Sequence, residues 1–173
     1  MTFRRYHQSD IFIESETENV KFKRYIENEN KRFLQYVEGT ITELLPKDFE
    51  AGITTLPSYA IYGINGLLRV ELPDRITTFQ IDSINSLDNV QEIIFPQNVT
   101  TINPILNNGD NTNIIADFSK ARKVPTLIIT DASGTKFNCF AKAKTIKVPS
   151  ALYNSWITAN NWTTVKDKIV AVT

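Results

Sequence analysis

Histidine and cysteine, the side chains that most often carry proton transfer, nucleophilic attack and zinc binding, occur once each, as His7 and Cys139. A relay of nucleophile, base and orienting acid needs an imidazole, or an unusual substitute, within hydrogen-bond reach of the nucleophile. His7 lies in the polar start MTFRRYHQSDIF, far along the chain from Cys139, and reads as an exposed bystander. A lone cysteine forms no intramolecular disulfide, so Cys139 reads as a small buried hydrophobe. Zinc needs three or four Cys, His or acidic ligands at characteristic spacing, and the sequence offers no such cluster. Glu71 and Glu92 are the carboxylates that neighbouring strands would bring together, the arrangement glycoside cleavage uses. Outward solubility is the simpler role for both. Asp110 to Asn113 begins like a calcium loop but lacks the glycine and closing glutamate of an EF-hand, so a turn-rich loop is expected. No GxxxxGKS/T or GxGxxG phrase occurs, which leaves a nucleotide site without support. The expectation is a protein without enzymatic activity, cofactor or metal.

Charge points the same way. Nineteen basic residues balance nineteen acidic ones, so no global field draws the chain to nucleic acid or an anionic membrane. One local excess exists: Lys120, Arg122, Lys123, Lys136, Lys142, Lys144 and Lys147 face a single acid, Asp131. That set forms a candidate basic patch for phosphate, an anionic glycan or an acidic partner, with a solvated face as the simpler alternative. It lacks the interleaved aromatics of single-strand nucleic-acid binders. No segment approaches 18 consecutive apolar residues and no apolar run follows the two arginines near the start, so neither a membrane span nor a secretory signal is expected.

The elements that would position these side chains are set by a repeat. ITTL from Ile53 returns as ITTF from Ile76 and VTTI from Val99, a step of 23 residues. VELP from Val70 returns as IIFP from Ile93, and Ile61 as Ile84, with the same step. A period in the range of about 20 to 29 residues marks solenoids in which each coil is one strand plus a return segment. Val70 and Leu72, then Ile93 and Phe95, alternate as half-buried strands do, and stacked coils would set them side by side about 4.8 Å apart in a narrow parallel sheet. Pro73 and Pro96 follow these strands, where a missing N–H costs no ladder bond. The threonine pairs 54/55, 77/78 and 100/101 are placed to ladder from coil to coil. On the outward side, Arg69, Glu71, Glu92 and Ile94 fall on neighbouring strands and make a candidate contact surface.

Both ends depart from the repeat. Residues 1–38 share nothing with it and are expected to be an attachment or oligomerisation segment; residues 39–173 are expected to be the repeat domain. Asp10 to Glu14 reads as a strand and Glu14, Glu16 and Glu18 as a solvated acidic loop. Val20 to Val37 fits either a hairpin through ENENK or a helix with Phe22, Tyr25, Ile26, Phe33 and Val37 on one face; its β-rich composition favours the hairpin. GTITEL from Gly39 reads as an opening strand and Pro46 to Glu50 as a short helical return. Asn107 to Asn113 reads as a polar surface loop. ADFS from Ala116 keeps the 23-residue step, VPTLII from Val124 lengthens it by two, and IKVP from Ile146 follows thirty residues after ADFS, implying an insertion of about seven residues around Asp131 to Lys136. Ser150 to Asn160 has an N-cap serine and puts Leu152, Tyr153, Trp156 and Ile157 on one helical face. With Trp162 and KIVAV it is expected to cap the stack.

These phrases resemble the BspA-type leucine-rich repeats. Ala60 and Ile61 fill that family's Ala-Phe slot, Leu67, Val70, Leu72 and Pro73 its strand, and Ile76, Thr77 and Phe79 its exit. Ser83 and Ile84 depart from the pattern in the second slot, and the third coil lacks it. The resemblance covers about residues 39–173 and implies a β-rich α+β fold: a short BspA-like solenoid with a narrow parallel sheet, an N-terminal non-repeat extension and a C-terminal helical cap. ADFSKARKVPTL, IKVPSALYNSWITANNWTTVKDKI and GTITELLPKDFEAGITTLPSYAIYG further resemble BspA-like proteins of gut bacteria and of their phages and prophages. That likeness implies a virion component of tail or head-fibre type serving assembly or host recognition. Its partners would be other virion proteins, a second copy of itself, and a host surface glycan or protein. The alternative is a cell-surface adhesion or protein-interaction module of a bacterium, which needs an export signal.

Overall fold

A computed structural model describes residues 11–17, 20–27, 31–38, 41–49, 51–58, 60–62, 64, 66–85, 87–106 and 113–173. His7, Glu18 and nearly all of the polar loop and calcium-like run at 107–113 lie outside them. The chain is β-rich with parallel sheets and few helices. Its start is an antiparallel meander of β1 (Ile11–Thr17), β2 (Val20–Glu27) and β3 (Lys31–Glu38), so the hairpin reading of Val20 to Val37 holds and the helical one does not. Ile11 to Glu14 lie in β1, as the strand reading of Asp10 to Glu14 has it, and β1 runs on through Glu16, where a loop was expected. Glu14 and Glu16 are the Cα partners of Lys23 and Lys21, so the acidic run is part of the pairing with β2.

From Ile41 the chain climbs in similar passes, each contributing short strands to parallel ladders. The longest ladder runs β4 (Glu43–Leu44), β7 (Arg69–Glu71), β10 (Glu92–Ile94), β12 (Ile115–Asp117), β14 (Thr145–Pro149) and β15 (Ile169–Val172). A second holds β5 (Thr55–Leu56), β8 (Thr78–Phe79), β11 (Thr101–Ile102) and β13 (Thr126–Leu127). A third pairs β6 (Ile61–Tyr62) with β9 (Ile84–Asn85). Val70 is the Cα partner of Ile93, Thr55 of Thr78 and Ile61 of Ile84, so three separate ladders keep the 23-residue step. Where the sequence lengthens, register survives: Thr101 pairs with Thr126 and Ala116 with Ile146. The extra residues leave the stack as a hairpin closed by the bridge between Thr130 and Lys136, with Gly134 turning it at φ +84°.

Between the ladders lies one continuous core. Leu56, Ile61, Leu67, Val70, Leu72, Ile76, Phe79, Ile84, Val90, Ile93 and Phe95 are all buried, and Ile53 packs half-buried against them. Each aliphatic among them contributes on the order of 1.5 to 3 kcal/mol by leaving water. Corners stack as well: Asp74 accepts from the Gln97 backbone at 3.0 Å and from Gln97 Nε2 at 2.7 Å, tying one turn to the next. The threonine ladder is narrower than expected. Thr77 and Thr100 donate their hydroxyls to the carbonyls of Thr54 and Thr77, at 3.4 and 3.0 Å, while Thr78 and Thr101 occupy the other face of their strands.

The C-terminal end is closed by a 3-10 turn at Ser150–Leu152, helix α1 (Tyr153–Thr158), a second 3-10 segment at Trp162–Lys168 and β15. Ser150 is not the expected N-cap. Extended Pro149 leads into the 3-10 turn, and α1 begins after Leu152 without a side-chain cap. Both tryptophans are fully buried. Trp162 Nε1 donates to Pro125 O at 2.9 Å and Asn161 Nδ2 to Leu127 O at 2.7 Å, which satisfies two carbonyls along the open edge at β13.

Candidate functional site

Strand alternation decides which side chains the long ladder displays. Val70, Ile93, Ala116 and Ile146 point inward; Arg69, Glu71, Glu92, Ile94, Ile115 and Lys147 are half-exposed on the opposite face. Parallel register sets Arg69 beside Glu92 and Glu71 beside Ile94, so the four residues of the expected contact surface are brought together. Ile94 is flanked in turn by Asp117, and Asp117 by Lys147.

The charges alternate in sign along one connected path. Lys120 Nζ lies 2.8 Å from Glu71 Oε1, and Glu71 Oε2 lies 2.9 Å from Arg69 Nη2. Arg69 Nε lies 3.6 Å from Glu92 Oε2. Lys147 Nζ then bridges Glu92 Oε1 at 3.1 Å and Asp117 Oδ2 at 3.3 Å. Asp117 is held from its other oxygen by the Ser119 backbone at 2.8 Å. Three cations and three anions thus span β7, β10, β12, β14 and the turn at Lys120, with no net charge. The Lys120 ammonium, helped by the Arg69 guanidinium and opposed by partial burial, holds the Glu71 carboxyl below the usual glutamate range. The Glu92 carboxylate, with Asp117 and against partial burial, raises the Lys147 ammonium above the usual lysine range.

This arrangement bears on the two chemical readings of the sequence. Glu71 and Glu92, the two carboxylates set side by side for the glycoside-cleavage reading, are both engaged in ion pairs. Of the seven expected basic-patch residues, Lys120 and Lys147 are drawn into the ion-pair path, and Lys136 lies in the bridge with Thr130. Arg122 and Lys123 lie exposed in the bend after β12, and Lys142 and Lys144 lie exposed before β14. Lys144 lines a shallow cleft with Asp88 and Gln91. Asp117 was missed at the sequence level, although the pairing of Ala116 with Ile146 would have set it beside Lys147.

Among the described residues no group of three or more His, Cys, Asp and Glu could hold a metal ion, and no helix is long and apolar enough to cross a membrane. Cys139 is buried, its Sγ 3.8 Å from Ile128 O, and burial raises its thiol above the usual range. No protein-family model matches the chain, and no curated protein matches it.

Proposed function

We propose that residues 39–173 form a short leucine-rich-repeat solenoid of BspA-like type, and that the chain is a non-enzymatic structural part of a phage particle. In this reading the solenoid displays its charged sheet face for assembly or host recognition. The supporting observation is the shared 23-residue register of three parallel ladders, which yields a rigid surface with Arg69, Glu71, Glu92 and Ile94 in one patch. The particle context rests on the likeness of the opening and closing phrases to phage-encoded repeat proteins. Residues 1–38 serve as the attachment arm, and attachment parts of particles usually obey closed symmetry, so a homo-oligomer follows. An electroneutral ion-pair path suits such a face, because it selects partners by geometry and resists bulk adsorption of polyanions.

Mass spectrometry of purified particles tests the assignment: peptides of this chain are expected to copurify, and their consistent absence would end it. A chain that instead fractionates with bacterial cells lacking phage genes would favour the adhesion module. Truncation before Gly39 is expected to leave a soluble, folded stack that no longer assembles, read by size-exclusion chromatography. A truncated chain that still assembles would remove the arm assignment.

A further inference from the structure

The second ladder displays a face of different chemistry. Leu56, Phe79, Ile102 and Leu127 are buried in the core, so their neighbours Thr55, Thr78, Thr101 and Thr126 stand on the outer side. These four are Cα partners from strand to strand, a column of hydroxyls repeating about every 4.8 Å. Two positions beyond Thr78 and Thr101 stand Gln80 and Asn103, each half-exposed and anchored by one end. Gln80 Oε1 accepts from the Ser58 backbone at 3.4 Å, and Asn103 Nδ2 donates to Phe79 O at 2.8 Å. Neither of these bonds engages the amide nitrogen of Gln80 or the carbonyl oxygen of Asn103, so both are placed to meet an external partner.

Beside this pair opens a cleft of about 250 Å³, in which Gln80, Asn103, Thr130 and Asp131 stand next to apolar Ile81 and Pro104. Asp131 comes from the hairpin that leaves the stack and is fixed there. Its Oδ1 accepts from Ser133 Oγ at 2.6 Å, Ser133 N at 2.9 Å and Thr135 N at 2.9 Å, bonds that keep the carboxyl ionised below its usual range. Oδ2 takes none of these bonds. The two columns carry no charged side chain, so the surface offers hydrogen bonds in a linear, regularly spaced array with one rigid acceptor beside it. A protein partner would want an aromatic anchor at the centre, and neither column carries an aromatic side chain. An anionic chain would meet the Asp131 carboxylate.

We propose that the threonine column and the Gln80–Asn103–Asp131 cleft bind a neutral linear glycan lying along the stack, its hydroxyls matched to successive strands. This extends the host-recognition part of the function proposed above to a named surface and ligand class. The test uses the full chain with cellohexaose, maltohexaose and chitohexaose as probes, followed by amide chemical shifts and calorimetry. At least one hexaose is expected to shift the amides of Thr78, Thr101, Gln80 and Asn103 and of the 130–136 hairpin. The double substitution Thr78→Val, Thr101→Val keeps side-chain shape and strand preference while removing two hydroxyls, and is expected to weaken that binding about tenfold with an unchanged melting temperature. Asp131→Asn is expected to weaken it as well. The proposal is overturned if none of the three sugars shifts these amides at millimolar concentration, or if the double variant binds as tightly as the parent. The titration needs no particle, so its failure leaves the copurification result standing, and the reverse also holds.

Discussion

Phe118 sits where the side chains of several passes converge: its ring stacks on Phe95 at 4.0 Å and meets Trp156 at 5.0 Å, Trp162 at 5.7 Å and Phe140 at 5.9 Å. Phe140 holds its place there at φ +57°, a conformation costly to a bulky residue, so the surrounding aromatic packing must outweigh the backbone strain. Trp162 has two duties in this cluster, filling space and donating to Pro125 O. Trp162→Phe keeps much of the ring and orphans a buried carbonyl, so urea unfolding should show a loss of about 1 to 3 kcal/mol, more than ring shrinkage alone would give. Cys139 should react with a thiol reagent such as Ellman's only at the rate the fold opens, and fast in denaturant, because burial both hides the sulfur and disfavours its thiolate. The sequence allowed the buried reading of Cys139, since the chain has no second cysteine to pair with it and no histidine near it in sequence to activate it. It could not announce a phenylalanine at positive φ, because nothing in a residue's type reports a conformation that its neighbours impose.

At the level of elements, the long ladder couples its strands through the alternating ions, and this gives a pH response of defined sign. Glu71 is held low in the fold, so its share of stability is present above the ordinary glutamate range and is lost as pH falls through its lowered value. Lys147 is held high, so its share is present below the ordinary lysine range and is lost as pH rises through its raised value. Melting temperature should therefore stay level between those limits and fall on either side. The ions are partly exposed, so Glu71→Gln should cost only about 0.2 to 1 kcal/mol at pH 7, less in high salt. A larger loss would mean that the path acts as a unit. The strands themselves were legible because VELP and IIFP repeat both residue type and spacing. The strand reading stopped too early, at Glu14, because three acids in a short span look like a loop until the pairing with β2 is known to run on to Thr17. Ser150 was misread because helix-cap statistics take no account of the 3-10 turn that Pro149 introduces before α1.

Seen whole, the protein derives its stability from neighbouring passes, and a complete pass should be removable. Deleting residues 76–98, one 23-residue step, puts Val99 in the place of Ile76 and lets β7 meet β12 in register. Circular dichroism should show a cooperative, less stable fold for that deletion, and loss of folding when only residues 76–87 are removed. The register of the stack could be read from the chain, and so could the closing role of the tryptophans. The cleft could not, because Asp131 reaches Gln80 and Asn103 only after an insertion has folded back over ladders distant in sequence. One further result comes from Asn161 and Trp162, whose side chains bond two carbonyls at the last strand in the second ladder. Those bonds and the Phe118 and Phe140 rings on which Trp162 packs all lie in the last passes, so a 23-residue step duplicated further back should move this end outward by about 4.8 Å and leave its contacts unchanged. Molecules built this way carry an adjustable gauge, able to alter their reach in fixed increments without redesigning either extremity.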